Sequence, residues 1–178
     1  MPNPYIYSIY RIVQFLFWAL FVFGPLNVWA NEPRVLKIVT SIPPLASIAK
    51  SIAGGEASVS SVVSNRADPH HFELKPSLVS RIVNADLVIL VGNRFEFWAE
   101  GLKEELKDKV IYLSDLIPEE FRIRSNSHSW LDPILVTPLV HKITERLILI
   151  KPESRALFNK NESSLIKDIY KVDLEISL

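Results

Sequence analysis

The sequence predicts an open α/β sandwich in which a parallel four-stranded sheet is covered by helices. Four short apolar segments alternate with amphipathic helical patterns between residues 35 and 113. These segments lack the polar alternation of half-exposed strands, and continuous apolar strands are typical of a sheet buried on both faces. Strands that alternate with helices pair in parallel through right-handed crossovers.

The four predicted strands are short, apolar and rich in β-branched residues, as buried strands are. In chain order they are residues 35–40 (VLKIVT), 59–63 (VSSVV), 87–91 (LVILV) and 110–113 (VIYL). The third is the plainest of them because it contains no polar residue. Gly92 follows it directly and marks its end.

Helical patterns follow the strands, and proline and glycine mark several of their ends. Pro43 begins the first helix, which stops at Gly54. Pro76 suits the first turn of the second helix, because its missing N–H group would be unpaired there anyway. Apolar residues spaced along residues 95–106 indicate a third helix.

Two further helices are predicted after a polar, irregular stretch. The first covers residues 133–150, and Pro138 removes a backbone donor inside it, which predicts a kink. The second begins at Pro152 and runs to the last residue. Its apolar stripe consists of Leu165, Ile169, Val172 and Ile176. Because no cap or breaker precedes Leu178, we expect part of this stripe to face water.

The composition excludes several classes of function. The chain has 178 residues, which is enough for one domain of ordinary size. Its 20 basic and 20 acidic residues balance, so no strong field favours nucleic acid or an anionic membrane. The absence of cysteine excludes disulfides, thiolate metal sites and an acyl anchor on an N-terminal cysteine. Any metal ion must therefore be held by nitrogen and oxygen ligands.

Residues 1–30 are interpreted as a signal peptide. A nearly unbroken apolar run covers residues 12–23, and Arg11 is the only charge before Glu32. The run is shorter than the about 20 apolar residues that a membrane-spanning helix needs. Val28 and Ala30 occupy the −3 and −1 positions of a cleavage site, so we predict cleavage after Ala30 rather than a membrane anchor.

Two loops at one edge of the predicted sheet carry histidines. His70 and His71 follow the second strand in the stretch ADPHHFELKPS, and His128 follows the fourth strand. Ligands of open parallel sheets bind beyond the carboxyl ends of the strands, and the fold brings both loops there. Neutral imidazole is the commonest metal ligand in proteins. The two loops are therefore a candidate metal site.

The neighbouring polar residues have alternative roles. His71 either binds the metal directly or lies beside the ligands and faces solvent. Asp68 is interpreted as a turn-forming residue. Asp132 either orients His128 or caps the helix that follows, and the cap is the favoured interpretation. His141 lies within a predicted helix and is not assigned to the site.

Three motifs together make the sequence resemble a known family. They are ADPHHFELKPS, NADLVILVG and HSWLDP, in this order between residues 67 and 133. They are similar to the metal-binding receptors of ABC transporters for zinc and manganese, which include the high-affinity zinc-uptake periplasmic proteins. The resemblance runs from about Val35 to the C-terminus.

This resemblance implies a bilobed receptor, in which two α/β lobes are joined by one long rigid helix and the metal ion lies between them. By similarity, His70 and His128 are the two first-lobe ligands, and a third histidine and a carboxylate come from the second lobe. The implied function is capture of Zn²⁺, or alternatively Mn²⁺, in the periplasm for delivery to a membrane ABC permease. No enzymatic activity is implied.

The resemblance also implies a domain organisation. Residues 1–30 are the signal peptide, residues 31–150 the first lobe, and residues 151–178 the start of the helix that joins the lobes. The expectation is that the second lobe is absent and that metal binding is impaired as a result. The chain departs from the family pattern in two other places: residues 119–127 contain no histidine, and Leu78 stands where an acidic residue is usual.

Two alternatives remain open from the sequence. One is a metal-dependent hydrolase, in which Glu73 would act as general base beside a metal held by His70. The other is a related receptor for a metal chelate, or a surface adhesin. The sequence shows no nucleophile paired with a base and no glycine-rich phosphate loop, so neither feature favours an enzyme.

Overall fold

The computed structural model of the chain describes Gln14 and residues 34–64, 72, 74–122 and 128–178. Contacts divide the chain after Pro33, and Arg34–Leu178 forms one compact unit. Apart from Gln14, the predicted signal peptide lies outside the described residues, as do the site candidates Asp68, His70 and His71. No helix within the described ranges is long and apolar enough to cross a membrane.

The described part of the chain contains one sheet of four parallel strands, as predicted. The strands are β1 (Leu36–Thr40), β2 (Ala57–Ser61), β3 (Leu87–Leu90) and β4 (Val110–Tyr112). Their order in the sheet is β2-β1-β3-β4, so β1 and β3 are central. The second strand starts two residues earlier than predicted, because Ala57 already pairs with Leu36 at the start of β1.

Six α-helices lie in the described ranges from residue 34 onward. They are α1 (Pro43–Ala53), α2 (Pro76–Val83), α3 (Lys103–Leu106), α4 (Leu113–Leu116), α5 (Thr137–Ile150) and α6 (Arg155–Ile176). Proline lies in the first turn of α1, α2 and α5, where its missing donor leaves no helical hydrogen bond unmade. Gly54 ends α1 at a positive φ of 58°, and its N–H group donates to Lys50.

Two helix predictions were wrong in detail. The segment predicted as the third helix is mainly a 3₁₀ turn, Phe97–Leu102, followed by the single turn α3, because the spacing of apolar residues does not distinguish the two kinds of helical turn. The predicted kink at Pro138 is absent from α5, since Pro138 stands in the first turn of this helix instead of its interior. A separate 3₁₀ turn, Ile134–Val136, precedes it.

The sheet separates two apolar cores. Strand residues alternate between them, so that Leu87 and Ile89 face the larger core while Val88 and Leu90 face the smaller one. Helices α1, α5 and α6 cover the larger core. Helix α2 and the turn Phe97–Leu102 cover the smaller core. All four of these strand residues are fully buried, which explains why their segment lacks polar alternation.

Helix α6 is packed along its first part and exposed toward its end. Phe158 is fully buried in the larger core, and Ile169 is 9% exposed. Val172 and Ile176 belong to the same apolar stripe but are 46% and 70% exposed. Part of the stripe therefore faces water, as the sequence predicts.

Candidate metal site

At the carboxyl edge of the sheet, the chain leaves the neighbouring strands β1 and β3 in opposite directions. From β1 the chain moves to β2 on one side, and from β3 it moves to β4 on the other. Such a switch point leaves a crevice between two neighbouring strands, and open α/β sheets bind their ligands there. In this protein Ser41 ends the β1 side and Gly92 the β3 side, and the Ser41 N–H group donates to Ile89 at 2.9 Å.

His128 lies next to this edge, at the start of a short 3₁₀ turn, Ser129–Leu131. The turn is closed by the Leu131 N–H group, which donates to the His128 carbonyl oxygen at 3.0 Å. His128 is exposed, whereas Trp130 is half-buried against the larger core. The local backbone thus presents the imidazole outward from an anchored turn.

Two aromatic rings hold the His128 imidazole from the protein side. The His128 and Trp130 ring centroids are 4.9 Å apart with a tilt of 43°. The Phe95 ring meets His128 edge-on, with centroids 6.4 Å apart, and also meets Trp130 at 5.1 Å. Phe95 is itself buried, so it connects the exposed histidine to the rigid end of β3.

A sharp backbone turn carries Phe95 to this position. Gly92, Asn93 and Arg94 have φ values of 81°, 48° and 65°, which lie in the left-handed region that ordinary side chains disfavour. The turn is closed by the Phe95 N–H group, which donates to the Gly92 carbonyl oxygen at 3.0 Å. Backbone in such conformations persists only where its surroundings determine it.

The buried carboxylate of Glu96 closes the same turn from inside. Its Oε1 atom accepts a hydrogen bond from the Val91 N–H group at 2.8 Å, and its Oε2 atom accepts one from Gly92 at 2.9 Å. Burial raises the pKa of Glu96 above its ordinary value, opposed by the Ser41 hydroxyl and these two backbone donors. Ser41 Oγ has no hydrogen bond of normal geometry to a described residue, so the backbone donors are the firmer contacts.

Asp132 caps the helical segment after His128. Its Oδ1 atom accepts hydrogen bonds from the backbone N–H groups of Ile134 at 2.9 Å and Leu135 at 3.3 Å. This is the favoured alternative from the sequence. His128 and Asp132 also line one cavity of about 470 Å³, together with Asp173 near the end of α6.

The second histidine-bearing segment, residues 65–71, lies outside the described residues, but the residues on both sides of it are fixed. Before it, the Val63 N–H group donates to the Ser41 carbonyl oxygen at 2.9 Å, at the end of β1. After it, the Phe72 ring packs edge-on against Trp98 with centroids 6.5 Å apart. Trp98 belongs to the 3₁₀ turn that follows β3.

His141 is placed away from His128, between the two long helices. Its Nδ1 atom lies 2.6 Å from Glu162 Oε1, so that α5 and α6 are joined by this pair. Both residues line a cavity of about 870 Å³ between the two helices, which is larger than the one beside His128.

Sequence reasoning missed Glu96 and the left-handed turn before it. The pattern of apolar residues assigned this stretch to a helix, and the partners of Glu96 are backbone N–H groups that no side-chain pattern reveals. A glycine directly after a buried strand, with a carboxylate four residues on, is the signal that could have found them. Among the described residues, no group of three His, Cys, Asp or Glu side chains could hold a metal ion.

An open parallel sheet with a histidine held at its carboxyl edge defines the chain as an α/β ligand-binding lobe. The chain belongs to the family described as zinc-uptake complex component A, periplasmic (ZnuA), whose model matches residues 38–177. This confirms the resemblance that the three motifs carry. The family consists of metal-binding transport receptors and not of enzymes.

Relatives and solved structures agree with this membership. A putative metal-binding protein of Thermotoga maritima is 33% identical over 143 residues, covering 75% of this chain and 52% of the relative. The manganese-binding lipoprotein MntA of Halalkalibacterium halodurans is 30% identical, covering 81% and 49%. The chain thus spans about half the length of these curated relatives.

A solved structure confirms the fold. The Zn(II)-bound ZnuA-like domain of Streptococcus pneumoniae AdcA matches with a TM-score of 0.70 and 26% identity, covering 79% of this chain and 54% of that one. The predicted α/β architecture, with a parallel sheet followed by a long helix, is therefore that of a known receptor lobe.

Proposed function

We propose that this chain is a metal-binding lobe of an extracytoplasmic receptor that captures Zn²⁺, with Mn²⁺ as the alternative, for delivery to a membrane ABC permease. The observation that supports it most is His128, an exposed imidazole braced by two aromatic rings at the carboxyl edge of the sheet. Membership of the zinc-uptake family over residues 38–177 supports a role for this histidine as a metal ligand.

The proposed ligands from this chain are His70 and His128. A neutral imidazole nitrogen binds zinc and competes with protons for the same lone pair, so affinity falls as the solution is made more acidic. His71 and Asp68 are proposed as neighbours of the ligand set. Asp132 is proposed to support His128 indirectly, because its carboxylate already caps the segment that follows the histidine.

We further propose that residues 1–30 are a cleaved signal peptide that directs the chain to the periplasm. Residues 31–150 then form the lobe, and residues 151–178 begin the helix that joins it to a second lobe. The start of the compact unit at Arg34 supports the first of these boundaries, and the extracytoplasmic location of the homologues supports the location.

Calorimetric titration of the full chain with Zn²⁺ tests the proposal. Replacing His70 or His128 with Ala should remove most of the binding, because each substitution deletes a coordinating nitrogen. His141→Ala is the matched control, since His141 pairs with Glu162 between α5 and α6 and should leave the affinity unchanged. The same titration with Mn²⁺ decides between the two metals.

Two outcomes would contradict the proposal. One is binding in the His70→Ala and His128→Ala variants that equals the wild type. The other is a loss of binding in His141→Ala alone, which would place the metal between the long helices. The hydrolase alternative has no support in the comparisons, which relate the chain to metal receptors.

A further inference from the structure

The segment between β3 and the first helical turn after it combines backbone strain with a buried charge. Three consecutive residues, Gly92, Asn93 and Arg94, have left-handed φ values, and two of them are not glycine. Glu96 follows two residues later and is only 6% exposed. A left-handed arginine and a buried carboxylate are each unfavourable on their own, so their coincidence points to a function of this segment.

The hydrogen bonds of Glu96 are directed at the backbone where the turn starts. Each carboxylate oxygen accepts from a different N–H group, Val91 at 2.8 Å and Gly92 at 2.9 Å. This bidentate arrangement fixes the orientation of two successive peptide groups, and charged acceptors make the stronger hydrogen bonds. The carboxylate thereby fixes the position of the next residue, Phe95, which lies between the turn and Glu96.

That residue is Phe95, and its ring touches the proposed ligand. The ring lies edge-on to His128 at 6.4 Å and to Trp130 at 5.1 Å between centroids. The Phe95 ring packs in the larger core, but its backbone belongs to no helix or strand, so the turn that Glu96 closes sets the direction in which the ring leaves the chain. Glu96 does not itself contact the His128 ring in any of these interactions, so its effect on the histidine passes through Phe95.

We propose that Glu96 is a positioning residue of the metal site, whose buried carboxylate locks the left-handed turn and so holds Phe95 against the His128 imidazole. This inference rests on the proposed function, since it treats His128 as a metal ligand. Groups that orient a ligand commonly change metal affinity by about 10- to 100-fold when they are replaced. Glu96 would be such a ligand-orienting group, although it acts on His128 through Phe95 and not by direct contact.

The test compares Glu96→Gln with a control that removes a different acidic side chain. Glutamine keeps the size of the side chain but presents an NH₂ group to one of the two backbone donors, which breaks that contact. Glu56→Gln is the control, because Glu56 precedes β2 at the opposite end of the sheet and pairs with Lys151. Both substitutions weaken a contact of a carboxylate and should lower the stability, but only the first should affect His128.

Two measurements on the folded proteins read out the position of His128. In the metal-free protein, the ring-proton NMR resonances of His128 should shift in Glu96→Gln, because they sense the ring currents of Phe95 and Trp130, while those of His141 should not. In calorimetry, Zn²⁺ affinity should fall about tenfold or more in Glu96→Gln and stay unchanged in Glu56→Gln.

A double-mutant cycle that combines Glu96→Gln with Phe95→Leu tests whether Glu96 acts on His128 through Phe95. If Glu96 acts through Phe95, the double variant should lose no more affinity than the weaker-binding single variant. Losses that multiply would overturn the inference, as would a Glu96→Gln protein of lowered stability but wild-type affinity and unshifted His128 resonances. Glu96→Asp, which keeps the charge on a shorter side chain, replaces Glu96→Gln if the latter does not fold.

Failure of the proposed function gives a different result from failure of this inference. If the wild type does not bind Zn²⁺, the proposed function is wrong, and the resonances of His128 in the metal-free variants still decide whether Glu96 positions the ring. Unshifted resonances in both Glu96→Gln and Phe95→Leu would then reject the positioning role.

Discussion

Among the described glycines, Gly92 leaves the least room for a side chain. Its φ of 81° lies in the left-handed region, and an added Cβ would meet the Ser114 hydroxyl and lie 3.3 Å from Tyr112 Cβ. Gly92→Ala should therefore lower the free energy of unfolding by about 1–3 kcal/mol. Urea unfolding measures this loss.

Gly55 provides the matched control for that substitution. Nothing lies within 4 Å of a Cβ added there. Gly55→Ala should change the free energy of unfolding by no more than about 0.5 kcal/mol. Equal effects of the two substitutions would show that the strain at Gly92 has been misjudged.

Glu56 should make the stability depend on pH. The hydrogen bond from Lys151 lowers the pKa of this carboxyl below its ordinary value, with Ser154 contributing in the same direction. A lowered pKa means that the folded state releases the proton more readily, so the stabilisation is present above the ordinary value near 4.5 and is lost as the pH falls through the folded pKa.

Unfolding of the wild type and of Glu56→Gln, compared from about pH 3 to 7, isolates this contribution. The wild type should be the more stable protein at neutral pH, where Glu56→Gln leaves the 7% exposed Lys151 without its carboxylate. The difference should vanish in acid. A difference that grows as the pH falls would contradict the assignment.

Single residues could be predicted from the sequence where their role is local. Pro43 and Pro76 begin helices because a missing N–H group costs nothing in a first turn, and the neighbouring residues suffice to show this. Glu96 could not be predicted in this way, since its role depends on backbone donors that only the folded turn brings within reach. Lys151 was missed for the same reason, because its partner Glu56 is distant in the sequence.

At the scale of elements, α6 is attached to the lobe chiefly through its first part. Phe158 is fully buried in the larger core, where it packs among residues of α1 and α5. Phe158→Ala should cost about 3–5 kcal/mol, because the truncation leaves a cavity that the rigid sheet cannot fill. Leu174, on the same helix but 64% exposed, is the control, and Leu174→Ala should change the unfolding free energy little.

Amide hydrogen exchange should show the same gradient along α6. Amides near Phe158 should exchange only through global unfolding, whereas those from Val172 to Ile176 should exchange through local fraying, because their side chains face water. Strong protection of the end of the helix at every protein concentration would contradict this expectation. Protection that rises with concentration would instead indicate that a second copy covers the exposed stripe.

Elements with a strong apolar period were predicted well, and those shaped by long-range contacts were not. The strand Leu87–Leu90 is buried on both faces, so its sequence alone identifies it. The segment Phe97–Leu102 has helical spacing of apolar residues but forms a 3₁₀ turn, which this spacing alone does not distinguish from an α-helix. The helix that contains Pro138 begins a few residues later than predicted. Pro138 therefore stands in its first turn, where it fits the helix and does not kink it.

For the whole molecule, the fold class followed from the alternation of strands and helices, and the strand order did not. Periodicity reports which faces of a strand are buried, but the order β2-β1-β3-β4 depends on pairing between distant segments. The position of His128 at the carboxyl edge of the sheet could be predicted, because the rule for carboxyl ends needs no side-chain detail. The ligand roles of His70 and His128 stay predictions.

The two cores on opposite faces of the sheet also have a consequence for the order in which the chain folds. Every described residue of the smaller core lies between Val39 and Tyr112, whereas the larger core includes Phe158 and Ile169. As the ribosome releases the chain from its N-terminus, one face of the sheet can be covered well before the other. During that interval the apolar side chains of the second face are exposed, and we expect the nascent protein to depend on chaperones until α6 has been synthesised.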